Sequence, residues 1–144
     1  MGAIEYLYDF IISCVPDVEG YGNYNKTYDE DGVSDHSIFK QSIREDHPGD
    51  IGVFITSSAS TTKMSGDSLY IADVQIVLNT INGDIVSGLA VLNDTFKNIR
   101  SIKGNENILL KSIKLLNIHP VGKNSSGLQW CTCNIETKYI INEE

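Results

Sequence analysis

Residues 68–80 read SLYIADVQIVLNT, and apolar side chains recur at every second position of this stretch. In an extended chain, successive side chains point to opposite faces. One face of the segment therefore carries Tyr70, Ala72, Val74, Ile76 and Leu78. The other face is more polar, so the pattern predicts a long strand with one buried face.

The segment that follows, residues 84–100, has a helical period instead. Its apolar residues are separated by steps of four, three, four and three: Ile85, Leu89, Leu92, Phe96 and Ile99. This spacing places them on one side of an amphipathic helix. Residues 108–118 and 128–141 then predict two more strands. The order strand, helix, strand, strand predicts an α+β fold, in which a mostly antiparallel sheet carries this helix on one face.

The first part of the chain adds an N-terminal helix and shorter strands. Residues 3–15 have apolar side chains at helical spacing and precede Pro16, so we expect a helix that ends there. Residues 38–43 and 51–57 predict strands. With 144 residues and no internal repeat, the chain has the length of one domain, which we assign to residues 1–144.

The sequence indicates neither a membrane segment nor a secretion signal. No apolar run approaches the ~20 residues that a helix needs to cross a bilayer. The first ten residues, MGAIEYLYDF, contain no basic residue but two acidic ones, unlike the basic start of a signal peptide. We therefore expect a protein that is made in the cytoplasm and has no membrane partner.

The net charge of −8 is unevenly distributed along the chain. Residues 17–50 contain nine acidic and three basic side chains, whereas residues 97–123 contain one acidic and six basic side chains. An acidic chain has little affinity for phosphate, so we expect no specific binding of nucleic acid. The two regions are either ordinary solvated faces or complementary surfaces between copies in a head-to-tail ring.

The residue types that perform most enzyme chemistry are scattered. Cys14, Cys131 and Cys133 lack the paired spacing of a zinc site, and the strand pattern of 128–141 places the last two in the core. The acidic run 29–31 lacks the distal glutamate of a calcium loop. The hydroxyl groups of residues 57–62 have no histidine and acid close by in sequence, so nucleophilic catalysis has no support there. We therefore predict no enzymatic activity, no metal site and no cofactor.

Two polar segments are candidates for contacts with other proteins. Residues 57–67 are almost all small and polar, and they predict a flexible arm between two strands. Residues 17–37 form a long irregular stretch, and loops of that length in compact domains are often functional. The candidate contact residues of the arm are Ser58, Ser60, Thr61, Thr62, Lys63 and Met64, and those of the acidic loop are Asp29, Glu30, Asp31 and Asp35.

Three stretches of the chain resemble a known family. They are DIGVFITSS (50–58), LYIADVQIVLNT (69–80) and ILLKSIKLLNIHPVGKNSSGLQWCTCNIETKYII (108–141). Together with the two helices, they resemble the tail terminator proteins of tailed bacteriophages, also called tail completion or minor capsid proteins. Residues 17–50 depart from the family. In the last strand, the residues that match the family's pattern are Leu128, Trp130, Cys131, Cys133, Ile135 and Tyr139.

The resemblance implies a structural role in a virion. Tail terminators form a hexameric ring that caps the tail tube, ends its polymerisation and joins it to the head-side connector. The implied partners are further copies of the chain, the tail tube protein and a connector or neck protein. DNA would pass through the lumen without specific binding, which agrees with the acidic net charge. The implied location is the tail–neck junction of the virion, and the host cytoplasm before assembly.

Other functions remain compatible with the sequence. A neck, head-completion or tail-tube-related connector protein shares the general fold. A small ligand-binding or enzymatic α+β domain would have a pocket that no sequence motif reveals. A regulatory domain would use the acidic loop to mimic nucleic acid. A ring predicts a large or concentration-dependent oligomer, whereas the last two alternatives predict a monomer or a dimer.

Overall fold

The computed structural model describes residues 2–23, 36–62 and 68–142. These residues form two helices, α1 (Ala3–Ser13) and α2 (Ile85–Ile102). They also form five strands: β1 (Ile38–Lys40), β2 (Ile51–Thr62), β3 (Ser68–Asn79), β4 (Ile108–Lys123) and β5 (Gln129–Ile141).

The strands build one sheet in the order β1-β2-β3-β5-β4. The short β1 is parallel to β2, and all other neighbouring strands are antiparallel. The chain therefore has the α+β fold that the sequence predicts, with an N-terminal helix, a second helix packed on the sheet and a mostly antiparallel sheet.

The core lies between the helices and one face of the sheet. On this face of β3, Ala72, Val74, Ile76 and Leu78 are at most 2% exposed, which confirms the predicted buried face. The neighbouring strands continue it, since Ile76 pairs with Val53 of β2 and with Cys133 of β5. The helices cover these residues with Leu7, Phe10, Ile11, Val91, Leu92, Phe96 and Ile99. We call this the helix face of the sheet, and the opposite one the open face.

Local sequence explains how α2 begins and why it lies close to the sheet. The Asp84 carboxylate accepts a hydrogen bond from the backbone N–H of Ser87 at 3.1 Å, which caps the first turn. At Gly88, a Cβ atom would lie 2.9 Å from Cδ2 of Leu78. The absence of a side chain at this position therefore allows the helix to approach β3.

The helical spacing of residues 3–15 predicts a buried side with Ile4, Leu7, Tyr8, Ile11, Ile12 and Val15, and all of these except Ile4 are buried. Ile4 is 39% exposed although its spacing places it on the apolar side, and Phe10 is 1% exposed. The reason is the position of the first turn, where the Tyr139 hydroxyl donates a hydrogen bond to the Ala3 carbonyl at 3.1 Å. This turn lies at the edge of the core, so the side chain of Ile4 extends beyond the core.

Several strand boundaries differ from the prediction. The strand β2 continues past residue 57 to Thr62, because residues 57–62 pair with residues 68–73 of β3. The strand β4 continues through Pro120 to Lys123, which an edge strand tolerates because one side of it is unpaired. The strand β1 is shorter and ends at Lys40, since Gln41 has a left-handed φ of 58°.

Candidate assembly surfaces

The predicted flexible arm is largely a pair of strands. Ser58, Ser60 and Thr61 lie on β2 and are exposed, and the backbone of Thr62 pairs with that of Ser68. The arm that the sequence predicts between two strands is therefore, in residues 57–62, a continuation of β2, because backbone pairing with β3 extends the strand while the side chains of residues 57–61 stay exposed. Lys63 and Met64 lie outside the described residues.

A bulge separates this outer part of the β2–β3 pair from the core. The register of β2 against β3 shifts between Ile55 and Ser57, and such an insertion increases the local twist of a strand. Ile55 still packs against the core, whereas residues 57–61 are exposed. We call residues 57–62 and 68–73 the outer hairpin.

The acidic loop residues Asp29, Glu30, Asp31 and Asp35 lie outside the described residues, but the structure shows how the adjoining chain is anchored. The Asp50 carboxylate, which is fully buried, accepts hydrogen bonds from the Arg44 guanidinium at 2.7 and 2.8 Å. It also accepts one from the backbone N–H of Ser37 at 2.9 Å. This buried carboxylate fixes the last residue of the segment 17–37 to the start of β2.

The segment 41–49 ties opposite parts of the sheet together. It leaves β1 at one edge and reaches the turn between β4 and β5, where Asn124 donates a hydrogen bond to the Glu45 carbonyl at 2.8 Å. Ser125 donates a second one to the Glu45 carboxylate. Under this segment, a cleft of about 210 Å³ opens on the open face beside Phe54, Val77 and Trp130.

One edge of the sheet is uncharged in its outer part. The strand β1 pairs only with Ile51–Val53 of β2, and Gln41 extends this cover by accepting a hydrogen bond from the backbone of Ile55. Beyond that point, no strand in the described ranges pairs with the outer side of residues 56–62. Along residues 56–62, the backbone donors and acceptors of alternate residues therefore face away from β3 without a partner strand in the described part of the chain.

The other edge is formed by β4, which is long, irregular and partly apolar. Its register against β5 shifts three times, at five-residue intervals. From residue 111 onward, its outer side has no partner strand among the residues that the structure describes. Large apolar side chains are nevertheless exposed there: Leu115 by 37%, Leu116 by 47% and Val121 by 44%. Exposed apolar side chains on an unpaired edge are typical of a surface that contacts another chain.

The two edges also differ in charge. Basic residues of the region 97–123 lie on β4, namely Lys111, Lys114 and Lys123, and no acidic residue lies on this strand. At the other edge, Lys40 of β1 is held between Glu5 and Asp9 of α1, at 3.0 and 2.9 Å. The β4 edge is therefore basic, whereas two carboxylates share one lysine at the opposite edge.

The cysteines are part of the core. Cys14, Cys131 and Cys133 are free thiols and at most 1% exposed. Burial raises the pKa of the Cys14 thiol to about 11 and that of the Cys133 thiol to about 12. Neither thiol is ionised near neutral pH, so neither is a ready nucleophile or metal ligand. In the described ranges, no three His, Cys, Asp or Glu side chains are grouped so that they could hold a metal ion.

The comparisons with known proteins add no family assignment. No protein-family model matches the sequence, and the curated proteins contain no significant match to it. As for membranes, neither of the helices in the described part of the chain has the length and apolar character of a bilayer span.

Sequence reasoning found the outer hairpin as a candidate surface but missed two features. The Arg44–Asp50 ion pair has no sequence signal, since both residues lie in a polar stretch that resembles an ordinary loop. The apolar edge of β4 left a partial signal, because the pattern of residues 108–118 alternates imperfectly. Bulges change which residues share a face, so the exposure of Leu115 and Leu116 became visible only in the folded sheet.

Proposed function

We propose that the protein is a structural component that assembles into a ring through the two edges of its sheet, and that this ring completes the tail of a bacteriophage. In this role it caps the tail tube, ends tube polymerisation and joins the tube to the head-side connector. The observation that supports self-assembly is a pair of sheet edges that no other described strand covers: one is polar, the other is basic with exposed apolar residues, and they lie on opposite sides of one sheet.

Two different edges favour a head-to-tail contact over a symmetric dimer. When surfaces that differ are complementary, each copy offers one to each of two neighbours, and the chain of contacts closes into a ring if the rotation between copies allows it. The charges favour the same arrangement, because like edges would bring the lysines of two β4 strands together.

The order of the strands also fits such a contact. The four strands β4, β5, β3 and β2 alternate in direction. If a neighbouring copy keeps the same orientation, its β4 comes to lie antiparallel to β2, with its helix face on the same side. The strand β1 blocks residues 51–53 of β2, so the neighbour must be displaced along the strand toward residues 56–62. Displacement of this kind is the stagger that a closed sheet requires.

The tail-completion role rests on the sequence resemblance together with this arrangement. A connector or neck protein would use the same edges to form a ring at another place in the virion. We keep this function as the second candidate.

The cleft beside Trp130 is the feature that a ligand-binding domain would use. It is lined by four polar residues, of which only Glu45 carries a charge, so it offers no grouped titratable side chains for catalysis.

The first test is the mass of the assembly. We expect mass photometry and negative-stain images of the purified protein to show rings, with an oligomer fraction that grows with concentration. Reversal of two charges on the basic edge, Lys111→Glu with Lys114→Glu, should shift the protein to monomers. The matched control for each single reversal is Lys97→Glu, which makes the same change of net charge at an exposed position on α2 and should leave the rings intact.

The second test concerns the tail tube. Added to polymerising tube protein of the same virus, the rings should bind one end of each tube and shorten the mean tube length. The doubly charge-reversed variant should leave tube length unchanged. A protein that stays monomeric at all concentrations contradicts ring assembly. Rings that do not bind tail tubes but bind an isolated connector favour the function of a neck protein.

A further inference from the structure

The register of three strands sets the shape of the cleft beside Trp130. On the open face, β3 supplies its floor with Gln75, Val77 and Asn79. Phe54 of β2 pairs with Gln75 at one end of this row, and Trp130 of β5 pairs with Asn79 at the other end. Residues on one face of a strand are about 7 Å apart, so Val77 lies at the centre of a floor about 14 Å long. The cleft is therefore apolar in the middle and has an amide and an aromatic ring at each end.

Hydrogen bonds hold one wall of this cleft in place. The wall belongs to the segment 41–49, and the Asn79 side-chain amide donates to the carbonyls of Arg44 at 2.7 Å and of His47 at 3.1 Å. Asn124 donates a further hydrogen bond to the same segment at 2.8 Å. The cleft is therefore formed before any ligand arrives, as in most small-molecule sites.

The end of the cleft at Trp130 has one acceptor and one donor to spare. Both hydrogens of Asn79 Nδ2 are used by the wall, which leaves Oδ1 as the remaining polar atom of that side chain. In the described part of the chain, no group donates to this oxygen, and none accepts a hydrogen bond from the Trp130 indole N–H. Residues directly opposite each other on antiparallel strands have Cβ atoms about 5 Å apart, so the two groups lie side by side.

We propose that this cleft binds a small aromatic carboxamide. A primary carboxamide carries an NH₂ donor next to a C=O acceptor, which is the complement of Asn79 Oδ1 and the Trp130 N–H. Its ring then lies on Val77 and extends toward Phe54. This site is separate from ring assembly, because none of the residues that line it belongs to β4 or to residues 56–62.

The volume and the charge of the cleft narrow the class of ligand. A cavity of about 150 Å³ holds a benzene molecule, so about 210 Å³ accommodates one six-membered ring with its carboxamide. Among the described residues, Glu45 supplies the only charge that lines the cleft. A carboxylate of the same shape is disfavoured twice, because Glu45 repels it and because it presents an acceptor oxygen to Asn79 Oδ1.

Trp130 is the only tryptophan of the chain, so its indole N–H gives a single NMR signal that reports on the cleft. On titration of the intact chain with nicotinamide or benzamide, we expect this signal to shift saturably, with half-saturation at about 10 mM or below, as is usual for ligands of this size. Nicotinate and benzoate should bind at least about tenfold more weakly. Propionamide, which has no ring, should bind at least about tenfold more weakly too, because it buries less apolar surface.

Variants test the two ends of the contact, with binding measured from the signals of the ligand. Trp130→Phe keeps a ring but removes the N–H, and it should lower the affinity for benzamide about two- to tenfold. Glu45→Gln should reduce the preference for nicotinamide over nicotinate. The matched control is Glu136→Gln, the same change at an exposed position of the open face outside the cleft, and it should leave that preference unchanged. Thermal melts should show that all three variants are folded.

Two results would overturn the site: no saturable shift of the Trp130 signal with either amide, or equal affinity for the amides and their acids. Propionamide that binds as tightly as benzamide would overturn the aromatic part of the ligand. Rings observed by mass photometry would stand in each of these cases. Conversely, amide binding by a protein that stays monomeric would support the site and contradict the ring.

Discussion

The two halves of the β2–β3 pair have the same backbone pairing but opposite surroundings. In the inner half, Val53 and Ile76 are fully buried beneath the helices. In the outer half, Ser58 and Ser60 are exposed and reach only the margin of α1. Antiparallel backbone pairing alone can therefore order a hairpin. Burial beneath the helices decides which part of that hairpin stabilises the domain. The outer half contributes little apolar burial to the domain.

The largest expected effect is on the helical cover of the inner half. Phe96 is 8% exposed on the buried side of α2, so Phe96→Ala should lower the free energy of unfolding by about 3–5 kcal/mol. Urea denaturation followed by circular dichroism measures this loss. Val86→Ala on the same helix is the control, and it should cost less than about 0.5 kcal/mol. Equal losses at both positions would show that the buried side of α2 is assigned wrongly.

A smaller effect is expected beneath that helix, where β5 supplies two thiols. Replacement of either Cys131 or Cys133 by Ala should cost about 0.5–3 kcal/mol through lost packing, and the double replacement should leave assembly unchanged. Metal content measured by mass spectrometry should be the same in both proteins. Stoichiometric zinc in the native protein that disappears in the double variant would contradict the purely structural role.

The smallest effect on stability should come from the outer half. Deletion of residues 59–65, with a two-residue turn joining the strands, should change the free energy of unfolding by less than about 1 kcal/mol, because the small side chains of residues 59–61 are exposed and bury little apolar surface. The same deletion should abolish ring formation, because it removes most of the free β2 edge. Sizing chromatography together with a thermal melt measures both properties.

The deletion and Phe96→Ala form a matched pair. The deletion should abolish assembly while the monomer keeps its stability. Phe96→Ala should lower the stability of the monomer more than the affinity of the interface. A deletion variant that still forms normal rings and caps tubes would show that the outer hairpin has no function in assembly.

Much of the fold could be predicted because it depends on local periodicity. The alternation around Val74 and the helical spacing around Leu92 each indicate an element and its buried side without any knowledge of neighbours. The cap at Asp84 and the close approach at Gly88 likewise follow from the residue type. Predictions failed where the chain lacks apolar side chains, as in residues 57–62, since the pairing of a polar strand depends on its partner.

The candidate site could be predicted only in part. Composition drew attention to the serines of the outer hairpin and to the lysines of residues 97–123. It gave no indication that Leu115 is exposed, because in sequence Leu115 looks like any other apolar residue of a strand. The strand order decides this exposure, since it makes β4 an edge and places α2 over the first part of β4.

The sequence by itself determined the types of the elements, the buried faces of β3, β5 and α2, and the separation of charge along the chain. Periodicity and residue chemistry are local properties, and they are written directly in the order of the residues. Only the tertiary structure decided that β5 lies between β3 and β4, that Arg44 meets Asp50, and that the lysines and exposed leucines share one edge. Strand order, ion pairing and edge position depend on contacts between residues far apart in sequence, whose free energy exists only once the chain has folded.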